Sequence, residues 1–501
     1  MKRDITFIHS GLVSSVQSLC DEVNKVSTTW VCITTYADHL NKEKLLEAMD
    51  RVDVLHCGLF FHEGKPFESV QLCSFNWHFI NPQVTVRSIS WKPSIEFIVF
   101  SKEDLMELGG LDLAYQQPIS VLCDFAFRVL LQGGIVTHDP DFVPTIKLRD
   151  RLGIMLSCYD EARFVRKFIN EEAYKYFRVC NFLLTGKWAS IRKPIAFEKG
   201  RLHHSKLFSS TSRPDIRHYT AIIPTINRYD YILKSISSLL TLSVPPSEII
   251  VIDQSPKETR QTKIYSEYEQ SGKVKVIFLD TPGQSTARNA GIDSASSPWI
   301  LLFEDDAEAW PEMVNEHISL LEKTQADVST GVVVIPGQDE SFIPEGNRFY
   351  FVSDILTTGN AFLLKKTAQS IHGFDPAFDR GPGADDDFGK RLYTNGNIIV
   401  YNFKSVETHH KAPKGGMREH GVWWRNTSSL LGAFPPVTQL YSIRKYYSKR
   451  YRFFLIITLL LKARRKYSAL SYLYLWLLLP IKYVRSWKAT LKLERKGRRE
   501  Y

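Results

Sequence analysis

The feature that most constrains the fold is a series of apolar runs between residues 218 and 303. These runs cover residues 218–224, 248–253, 274–279 and 299–303. Between the first two runs, Ile232, Ile236, Leu239 and Leu240 recur at helical spacing. Strands that are apolar on both faces are typical of parallel sheets covered by helices. The sequence therefore predicts an α/β fold with a mostly parallel sheet.

Three of these runs lead into polar residues at their carboxyl ends. Asn227 and Arg228 follow the first run, Asp253 ends the second, and Glu304-Asp305-Asp306 follow the last. Because ligands of open parallel sheets bind beyond the carboxyl ends of the strands, these side chains are expected to line one ligand site.

Five motifs stand in order along the chain and together resemble those of a known enzyme family. They are Pro224-Thr225, Asp253, the segment from Gly283 to Gly291, Glu304-Asp305-Asp306, and the segment from Gly383 to Phe388. Over residues 217–415 the pattern is similar to that of glycosyltransferase family 2. The resemblance implies a GT-A fold, a nucleotide-diphospho-sugar donor, a divalent metal ion and inversion at the anomeric carbon.

The resemblance also implies roles on the donor side of the site. Asp306 is expected to bind Mn²⁺ or Mg²⁺, which neutralises a diphosphate, and Glu304 replaces a usual Asp that contacts ribose or metal. Asp253 is expected at the nucleobase or ribose, unless it only caps the following turn. Either His409 or His410 is expected near the metal or diphosphate, with His409 the candidate ligand. The other donor-binding candidates are Pro224, Thr225, Arg228, Gly283, Arg288, Asn289 and Asp305.

Inverting transfer needs one general base that deprotonates the acceptor hydroxyl, and it needs no covalent nucleophile. In the family this carboxylate stands shortly before a helix, and Asp387 with Arg391 sets a register that gives Asp385 the role. Asp386 is the rival, because Ala384 replaces the Glu that the family has there. On the acceptor side the matching residues are Gly359 and Asn360.

A weak internal repeat divides the chain. Asp112, Asp124, Arg128 and Gly133 match Asp375, Asp387, Arg391 and Gly396 at a constant offset of 263, and Trp30 matches Trp299 at an offset of 269. The repeat predicts a degenerate glycosyltransferase-like module at 1–150 and a catalytic GT-A domain at 217–420. A helical linker at 151–216 joins them, and basic amphipathic helices occupy 421–501.

The first module lacks the residues that would carry the chemistry. Leu122 stands at the position of Asp385, and Thr35 and Ala37 stand at those of Glu304 and Asp306. We therefore expect a truncated, inactive relative of the second module, with a role in docking, acceptor binding or stability.

The C-terminal end is strongly basic, and it contains apolar runs that alternate with basic segments. Residues 441–501 contain 17 Lys or Arg and two Glu, a net charge of +15 within a chain whose total is +10. Two apolar runs, residues 453–461 and 473–481, flank basic residues 462–466, and both are too short to span a bilayer. We expect helices lying in an anionic membrane surface rather than a nucleic-acid site. A buried pair of structural helices is the alternative.

The seven cysteines all lie within the first 180 residues, without a Cys-x-x-Cys pair, which argues against structural zinc and favours reduced thiols. The N-terminus has no signal-peptide pattern. Together these features predict a transferase at the cytoplasmic face of a membrane. It would add sugar to a glycan or lipid-linked acceptor in cell-envelope polysaccharide biosynthesis. The alternatives are a nucleotidyltransferase and a sugar-nucleotide-binding scaffold without turnover.

Overall fold

A computed structural model describes residues 4–57, 88–142, 157–188, 213–337, 350–417, 432–446 and 468–500, with gaps inside these ranges, and Ile456, Leu459 and Leu460. The chain forms two compact units. The first comprises residues 1–209, 393–396 and 446–461, and the second comprises the remaining residues. Cys73, Cys180, the basic residues 462–466, and most of the linker and of the run 453–461 lie outside the described residues.

The first unit contains a six-stranded sheet with helices. Its strands are β1 (Ile5–His9), β2 (Trp30–Thr34), β3 (Val54–His56), β4 (Ser88–Ile89), β5 (Phe97–Ser101) and β6 (Val136–His138). Its helices are α1 (Val16–Lys25), α2 (Lys42–Met49), α3 (Lys102–Glu107), α4 (Pro118–Leu131) and α5 (Cys158–Phe168). The strand order is β1-β2-β5-β3-β6-β4. Helix α4 is buried along most of its length, because its sequence is almost entirely apolar.

The second unit contains a nine-stranded sheet. Its strands are β7 (Tyr219–Thr225), β8 (Glu248–Asp253), β9 (Val274–Phe278), β10 (Trp299–Phe303), β11 (Ala307–Ala309), β12 (Val328–Val334), β13 (Tyr350–Ser353), β14 (Asn360–Leu364) and β15 (Ile399–His409). Its helices are α6 (Tyr229–Leu240), α7 (Ser266–Gln270), α8 (Gln284–Ser294), α9 (Met313–Thr324), α10 (Lys365–Ser370), α11 (Ala384–Thr394), α12 (Val437–Tyr446), α13 (Ala469–Leu477) and α14 (Leu479–Glu500).

The order of this second sheet is β11-β15-β12-β14-β10-β7-β8-β9, with β13 also paired to β15. The four strands predicted from apolar runs, β7 to β10, are all present, and they pair in parallel. Strand β14 runs antiparallel to its neighbours β10 and β12. Strands β7, β8 and β10 are buried on both faces, whereas the edge strand β9 is partly exposed. Tyr219, Trp299 and Phe362 form one aromatic cluster. The α/β prediction is confirmed.

The two sheets share one topology. Following the order β1-β2-β5-β3-β6-β4, the neighbouring pairs are parallel, antiparallel, antiparallel, parallel and antiparallel. The series β7-β10-β14-β12-β15-β13 repeats these senses in the same order. Trp30 and Trp299 begin the corresponding strands β2 and β10. Trp30 pairs with Ile5, the first residue of β1, and Trp299 pairs with Tyr219, the first residue of β7.

In the first unit, the repeated residues form a buried charge network. Asp124 accepts from Arg128 at 2.7 Å and from Lys167 at 2.6 Å. Lys167 also contacts Asp112 at 2.8 Å, and Arg128 donates to the Leu108 carbonyl. Each buried charge thus has a partner of opposite sign, which such charges need inside a protein.

The second unit builds the same network from the matching residues. Asp387 accepts from Arg391 at 2.8 Å and from Lys445 at 2.7 Å. Lys445 also contacts Asp375 at 3.0 Å, and Arg391 donates to the Ile371 carbonyl at 2.6 Å. Like Lys167 of α5, Lys445 belongs to a helix that follows the repeated segment, α12.

The C-terminal helices belong to this second unit. On one face of α14, Ser486 donates to the Pro435 carbonyl at 2.6 Å, and Arg444 of α12 binds Glu494 at 2.6 and 3.0 Å. Among the described helices, none combines the length and apolar character needed to cross a bilayer. Ile456 and Leu460, described members of the run 453–461, are buried, so these two side chains do not form an exposed apolar face.

Candidate active site

The carboxyl ends of β7, β8 and β10 meet at a cavity of about 240 Å³. Residues predicted from the sequence that line it are Pro224, Thr225, Arg228, Arg288, Glu304 and Asp305. Gln284, within the predicted motif from Gly283 to Gly291, also lines it, as do Gln254 and Asp379, which no sequence motif included. The predicted position of the site at this edge of the sheet therefore agrees with the geometry.

Arg228 lies against the acidic cluster. It donates to Asp305 at 2.7 Å and lies 3.2 Å from Asp306, while Thr225 donates to the second Asp305 oxygen at 2.7 Å. Burial raises the pKa of Asp305 to about 6, although the charge of Arg228 opposes the rise. For Arg228 burial disfavours the charged form, but both carboxylates outweigh it and raise its pKa. Arg228 is thus held charged beside the cavity.

Glu304, Asp306 and His409 converge as a candidate metal centre. His409 Nδ1 lies 3.5 Å from Glu304 Oε2, and its Nε2 lies 3.4 Å from Asp306 Oδ1. That Asp306 oxygen and His409 Nε2 are buried and lack a hydrogen-bond partner among the described residues. Carboxylate oxygens and an imidazole nitrogen suit Mn²⁺ and are compatible with Mg²⁺. These residues therefore fit a bound divalent cation.

The charges of this cluster act on each other. Burial opposes ionisation of Asp306, yet His409 and Arg228 outweigh it and lower the pKa of Asp306. Burial likewise disfavours a charged His409, but Asp306 and Glu304 raise the pKa of His409 above its ordinary value. The second histidine, His410, lies 3.0 Å from Glu308 instead, so the structure brings His409 and not His410 into the cluster.

The loop after β15 closes over the acidic cluster. The Ala412 N–H donates to Asp306 Oδ2 at 2.8 Å, and the Gly416 N–H donates to the Ile226 carbonyl at 2.8 Å. Gly415 and Gly416 have φ of 74° and 69°, and a Cβ on either would lie 2.7 Å from Arg228. Glycine is required there both by backbone conformation and by the closeness of the guanidinium.

Glu407 is an acidic residue that the sequence did not indicate. It is fully buried two residues before His409 on β15, and both its carboxylate oxygens lack a hydrogen-bond partner among the described residues. Burial, followed by the charges of Glu304 and Asp306, raises its pKa well above the ordinary value. A Cβ on Gly359 would lie 2.5 Å from Glu407, so predicted Gly359 packs against this carboxyl group. The alternation of Glu407 and His409 along a strand was the available signal.

The N-terminus of α8 is capped by Asp379. This carboxylate accepts from the N–H groups of Ser285 and Thr286 at 2.8 Å each and from the Thr286 hydroxyl at 2.6 Å. Gly283, a predicted donor-binding residue, lies against the same group, since a Cβ there would be 2.6 Å from Asp379. Its N–H donates to the Gln254 side chain at 2.7 Å. Gly283 thus permits close approach of a carboxylate from its own chain.

Arg288 and Asn289, adjacent on α8, have different surroundings. Arg288 lines the cavity, donates to the Thr358 hydroxyl at 3.1 Å and lies 3.5 Å from Glu304. The Asn289 amide instead exchanges two hydrogen bonds with the backbone of Phe374, at 2.7 and 2.8 Å. Asn289 is not among the residues lining the cavity, so its predicted donor contact finds no support in this geometry.

Asp253 and Asn360 are fully buried and internally hydrogen-bonded. Asp253 accepts from the Ser255 N–H at 2.8 Å and from the hydroxyls of Tyr229 and Tyr265 at 3.1 and 3.2 Å. This arrangement matches the turn-capping alternative, and a base or ribose contact would require exchange of one of these bonds. Asn360 bonds to His317 at 2.7 Å and lies within the sheet rather than at an acceptor surface.

Three consecutive aspartates open α11. Asp386 pairs with Lys390, and Asp387 is buried with Arg391 and Lys445, whereas Asp385 is solvent-exposed. Crowding by protein atoms raises the pKa of Asp385, and the charge of Arg288 opposes the rise. A general base must be reached by its substrate. Asp385 has the accessibility that the base role requires.

This geometry can be compared with known proteins. Residues 220–382 match the family profile described as Glycosyl transferase family 2. The chain therefore contains a glycosyltransferase family 2 domain. The matched residues include β7, β8, β10 and the acidic cluster, so the predicted family resemblance is confirmed for this part of the chain.

Two curated relatives of the glycosyltransferase family 2 domain are similar over part of their length. An uncharacterized glycosyltransferase of Nostoc sp. is 27% identical over 159 residues, covering 30% of this chain and 48% of its own. Glycosyltransferase GlyA of Streptococcus pneumoniae is 25% identical over 133 residues, covering 26% of this chain and 18% of its own. The chain thus spans about half or less of the length of these relatives.

Solved structures similar to the chain include two glycosyltransferases with bound ligands. GalNAc-T7 with UDP, GalNAc and Mn²⁺ has a TM-score of 0.37 and 13% identity, covering 46% of this chain and 50% of that one. S. aureus TarS residues 1–349 with UDP-GlcNAc has a TM-score of 0.34 and 17% identity, covering 46% of this chain and 71% of that one.

Proposed function

We propose that the second unit is an inverting glycosyltransferase that moves a sugar from a nucleotide-diphospho-sugar to an acceptor hydroxyl. The observation that carries the proposal is a cavity lined by Arg228, Arg288 and Glu304, with Asp306 and His409 clustered against that glutamate. All of these residues except His409 lie within the range that matches the glycosyltransferase family 2 profile. A nucleoside diphosphate is an anion that needs opposite charge, and Arg228 and Arg288 offer fixed donors for it.

Mn²⁺ or Mg²⁺ is the proposed cofactor, held by Asp306 and His409 with Glu304 beside them. The bound ion would supply positive charge against the diphosphate leaving group. The Asp306 oxygen and the His409 nitrogen face each other at 3.4 Å, are buried, and have no hydrogen-bond partner among the described residues, which supports this assignment. Arg228 would orient Asp306 for this role, because it already lies 3.2 Å from the other carboxylate oxygen.

Asp385 is the proposed general base. It would accept the proton of the acceptor hydroxyl while that oxygen bonds to the anomeric carbon and the carbon–oxygen bond to the diphosphate breaks. One displacement inverts the anomeric centre, and nucleoside diphosphate leaves. Asp386 is the less suitable base, because Lys390 neutralises its carboxylate.

Two other functions compete with this proposal. A nucleotidyltransferase would also bind a nucleotide on an α/β sheet, and a scaffold would bind the donor without turnover. Asp385 is exposed and lies within reach of the charge of Arg288, which lines the cavity, and this favours a transferase over a scaffold. The products separate the three functions, since only a glycosyltransferase releases nucleoside diphosphate in step with acceptor.

We further propose that the first unit is a truncated, inactive relative of the second. The shared strand order and the duplicated Asp–Arg–Lys network support common descent. The position of Asp385 is occupied in the first unit by Leu122, which is buried and carries no titratable group. This unit would serve docking, acceptor binding or stability.

The proposed location is the cytoplasmic face of an anionic membrane, held peripherally, and the proposed acceptor is a glycan or lipid-linked saccharide of the cell envelope. The net charge of +15 over residues 441–501 supports attraction to anionic lipid. A lipid-linked acceptor would be presented at that same surface.

The decisive experiment measures nucleoside diphosphate release from a panel of nucleotide sugars, with and without acceptor. In the Asp385→Asn variant we expect transfer to fall by roughly 10²–10⁴-fold with donor binding retained. Asp230→Asn, an exposed aspartate on α6, serves as the matched control. Full activity of Asp385→Asn together with an inactive Asp386→Asn would move the base to Asp386, and diphosphate release that ignores acceptor would refute transfer.

A further inference from the structure

The C-terminal helices expose an apolar stripe that no described part of the chain covers. Its members, Leu470, Leu473, Leu477, Ile481 and Val484, are between 49% and 66% exposed. Their spacing of three, four, four and three residues is that of one helix face, continued from α13 into α14. Tyr474 and Trp476, also exposed, stand beside the stripe.

The opposite face of α14 is already engaged. Ser486 and Thr490 are fully buried, and they donate to the carbonyls of Pro435 and Val437 at 2.6 and 3.2 Å. Arg444 of α12 lies 4.0 Å from the centre of the Trp487 ring. Helix α14 is therefore held to its unit by one face, and the stripe is a second face that remains available.

The exposed side chains of α14 change from apolar to basic along the helix. After Val484, the exposed residues include Arg485, Lys488, Lys492 and Arg495. Of the two acids of α14, Glu500 is its last residue, and Glu494 is paired with Arg444. An apolar end followed by a basic end matches a bilayer edge, where acyl chains lie below anionic headgroups.

We propose that the apolar stripe and the basic half of α14 form one docking surface for an anionic lipid bilayer. The stripe enters the acyl region shallowly, Tyr474 and Trp476 lie at the headgroup level, and the basic residues contact lipid phosphates. This inference rests on the peripheral membrane location proposed above and assigns it to one helix face. It also assigns membrane binding to the second apolar run, residues 473–481, since Ile456 and Leu460 of the first run are buried.

Other occupants fit the surface less well. A two-fold pair of this chain would bring the same patch of each copy together. The exposed basic residues of α14 would then repel each other. Nucleic acid would satisfy the basic half but leave the stripe in water. A bilayer with anionic lipid satisfies both halves at once.

The test uses the full chain and flotation with two kinds of vesicle, phosphatidylcholine alone and phosphatidylcholine with one third phosphatidylglycerol. In the double variant Leu477→Ser and Ile481→Ser, each lost apolar side chain should lower the partition constant about 10-fold. The matched control is Leu12→Ser with Leu113→Ser, two exposed leucines of the first unit, which should float like wild type.

The basic half is tested separately. Lys488→Gln with Lys492→Gln should lower binding to the anionic vesicles by about fivefold per lysine at low salt. This loss should shrink at high salt, whereas the loss caused by the stripe variant should persist, because apolar burial is not screened. Equal binding of wild type to both kinds of vesicle would overturn the assignment of the basic half.

Activity separates this inference from the proposed transfer reaction. All variants should release nucleoside diphosphate at the wild-type rate with a soluble acceptor analogue. If neither wild type nor any variant released nucleoside diphosphate, the proposed transferase activity would be refuted, but the flotation result would still test the docking surface. Wild-type flotation of the stripe variant would overturn the docking surface. The docking surface would also be overturned if the wild type did not float but formed a dimer that the stripe substitutions dissociate. The same holds if the wild type bound RNA and did not float.

Discussion

His317 offers a prediction whose size follows from the structure. This histidine of α9 is fully buried, with Nδ1 2.7 Å from the Ser329 hydroxyl and Nε2 2.7 Å from the Asn360 amide oxygen. Burial lowers the pKa of His317 to about 4. The unfolded chain, with an ordinary histidine pKa of about 6.5, binds a proton that the folded chain refuses. Stability from His317 is therefore complete above about pH 6.5 and is lost as pH falls toward 4.

The magnitude follows from the two pKa values. As pH falls from 7 to 5, the unfolded chain binds a proton at His317 that the folded chain does not bind. Because pH 5 lies about one and a half pH units below the pKa of the unfolded chain, this proton lowers the free energy of unfolding by about 2 kcal/mol. In His317→Gln this part of the pH dependence should vanish. Ser329→Ala is the matched control, because it removes one hydrogen bond but leaves the titrating ring in place. It should be less stable at both pH values yet keep the wild-type pH dependence.

Met313, buried in the same helix, provides the assay. Its oxidation by peroxide in a urea series, read by mass spectrometry, follows unfolding of this unit separately from the other. A loss of about 2 kcal/mol corresponds to a fall of about 1 M in the urea midpoint. If the urea midpoint of His317→Gln fell between pH 7 and pH 5 by as much as that of wild type, the reasoning would be refuted. The pH dependence would then not come from protonation of the buried His317 ring.

Three further predictions concern the site. Excess chelator should abolish transfer, and Asp306→Ala should weaken donor binding only when metal is present; full activity in chelator would exclude the metal. Gly359→Ala should cost about 1–3 kcal/mol by overpacking against Glu407, measured as a lower urea midpoint, and a neutral result would mean that Glu407 moves aside freely. Lys445→Met should destabilise the second unit by about 1–3 kcal/mol, because it leaves the buried Asp387 with Arg391 but one partner fewer; an unchanged midpoint would show that Arg391 alone suffices.

Sequence reasoning found the parts of the site that depend on local pattern. The acidic cluster after β10 could be predicted because five buried apolar residues lead directly into it, and such runs form strands that end at the ligand edge. The offset of 263 likewise predicted a second copy of one structural segment, since the paired Asp and Arg residues occupy helix positions four apart in both units.

The parts that it missed depend on contacts between distant segments. Asp379 reaches the start of α8 from 93 and 94 residues away, and nothing local marks it as a cap. Asn289 and Asn360 were expected at ligands because the segments that contain them resemble motifs of the family, but each amide satisfies backbone or buried groups of other elements. A side-chain amide can bond to a ligand or to the protein itself. Tertiary structure decides between the two, and the neighbouring residues in the sequence do not.

The cap on α8 has a consequence for how an anion is recognised. A free helix N-terminus carries roughly half a positive charge and attracts phosphate. Here the Asp379 carboxylate already occupies that position, so the helix offers a diphosphate little net attraction. In the proposed reaction, recognition of the donor would then depend on Arg228, Arg288 and the proposed cation. The enzyme would therefore discriminate donors by the state of its metal centre, and free phosphate or sulfate should compete poorly against a metal-chelated diphosphate.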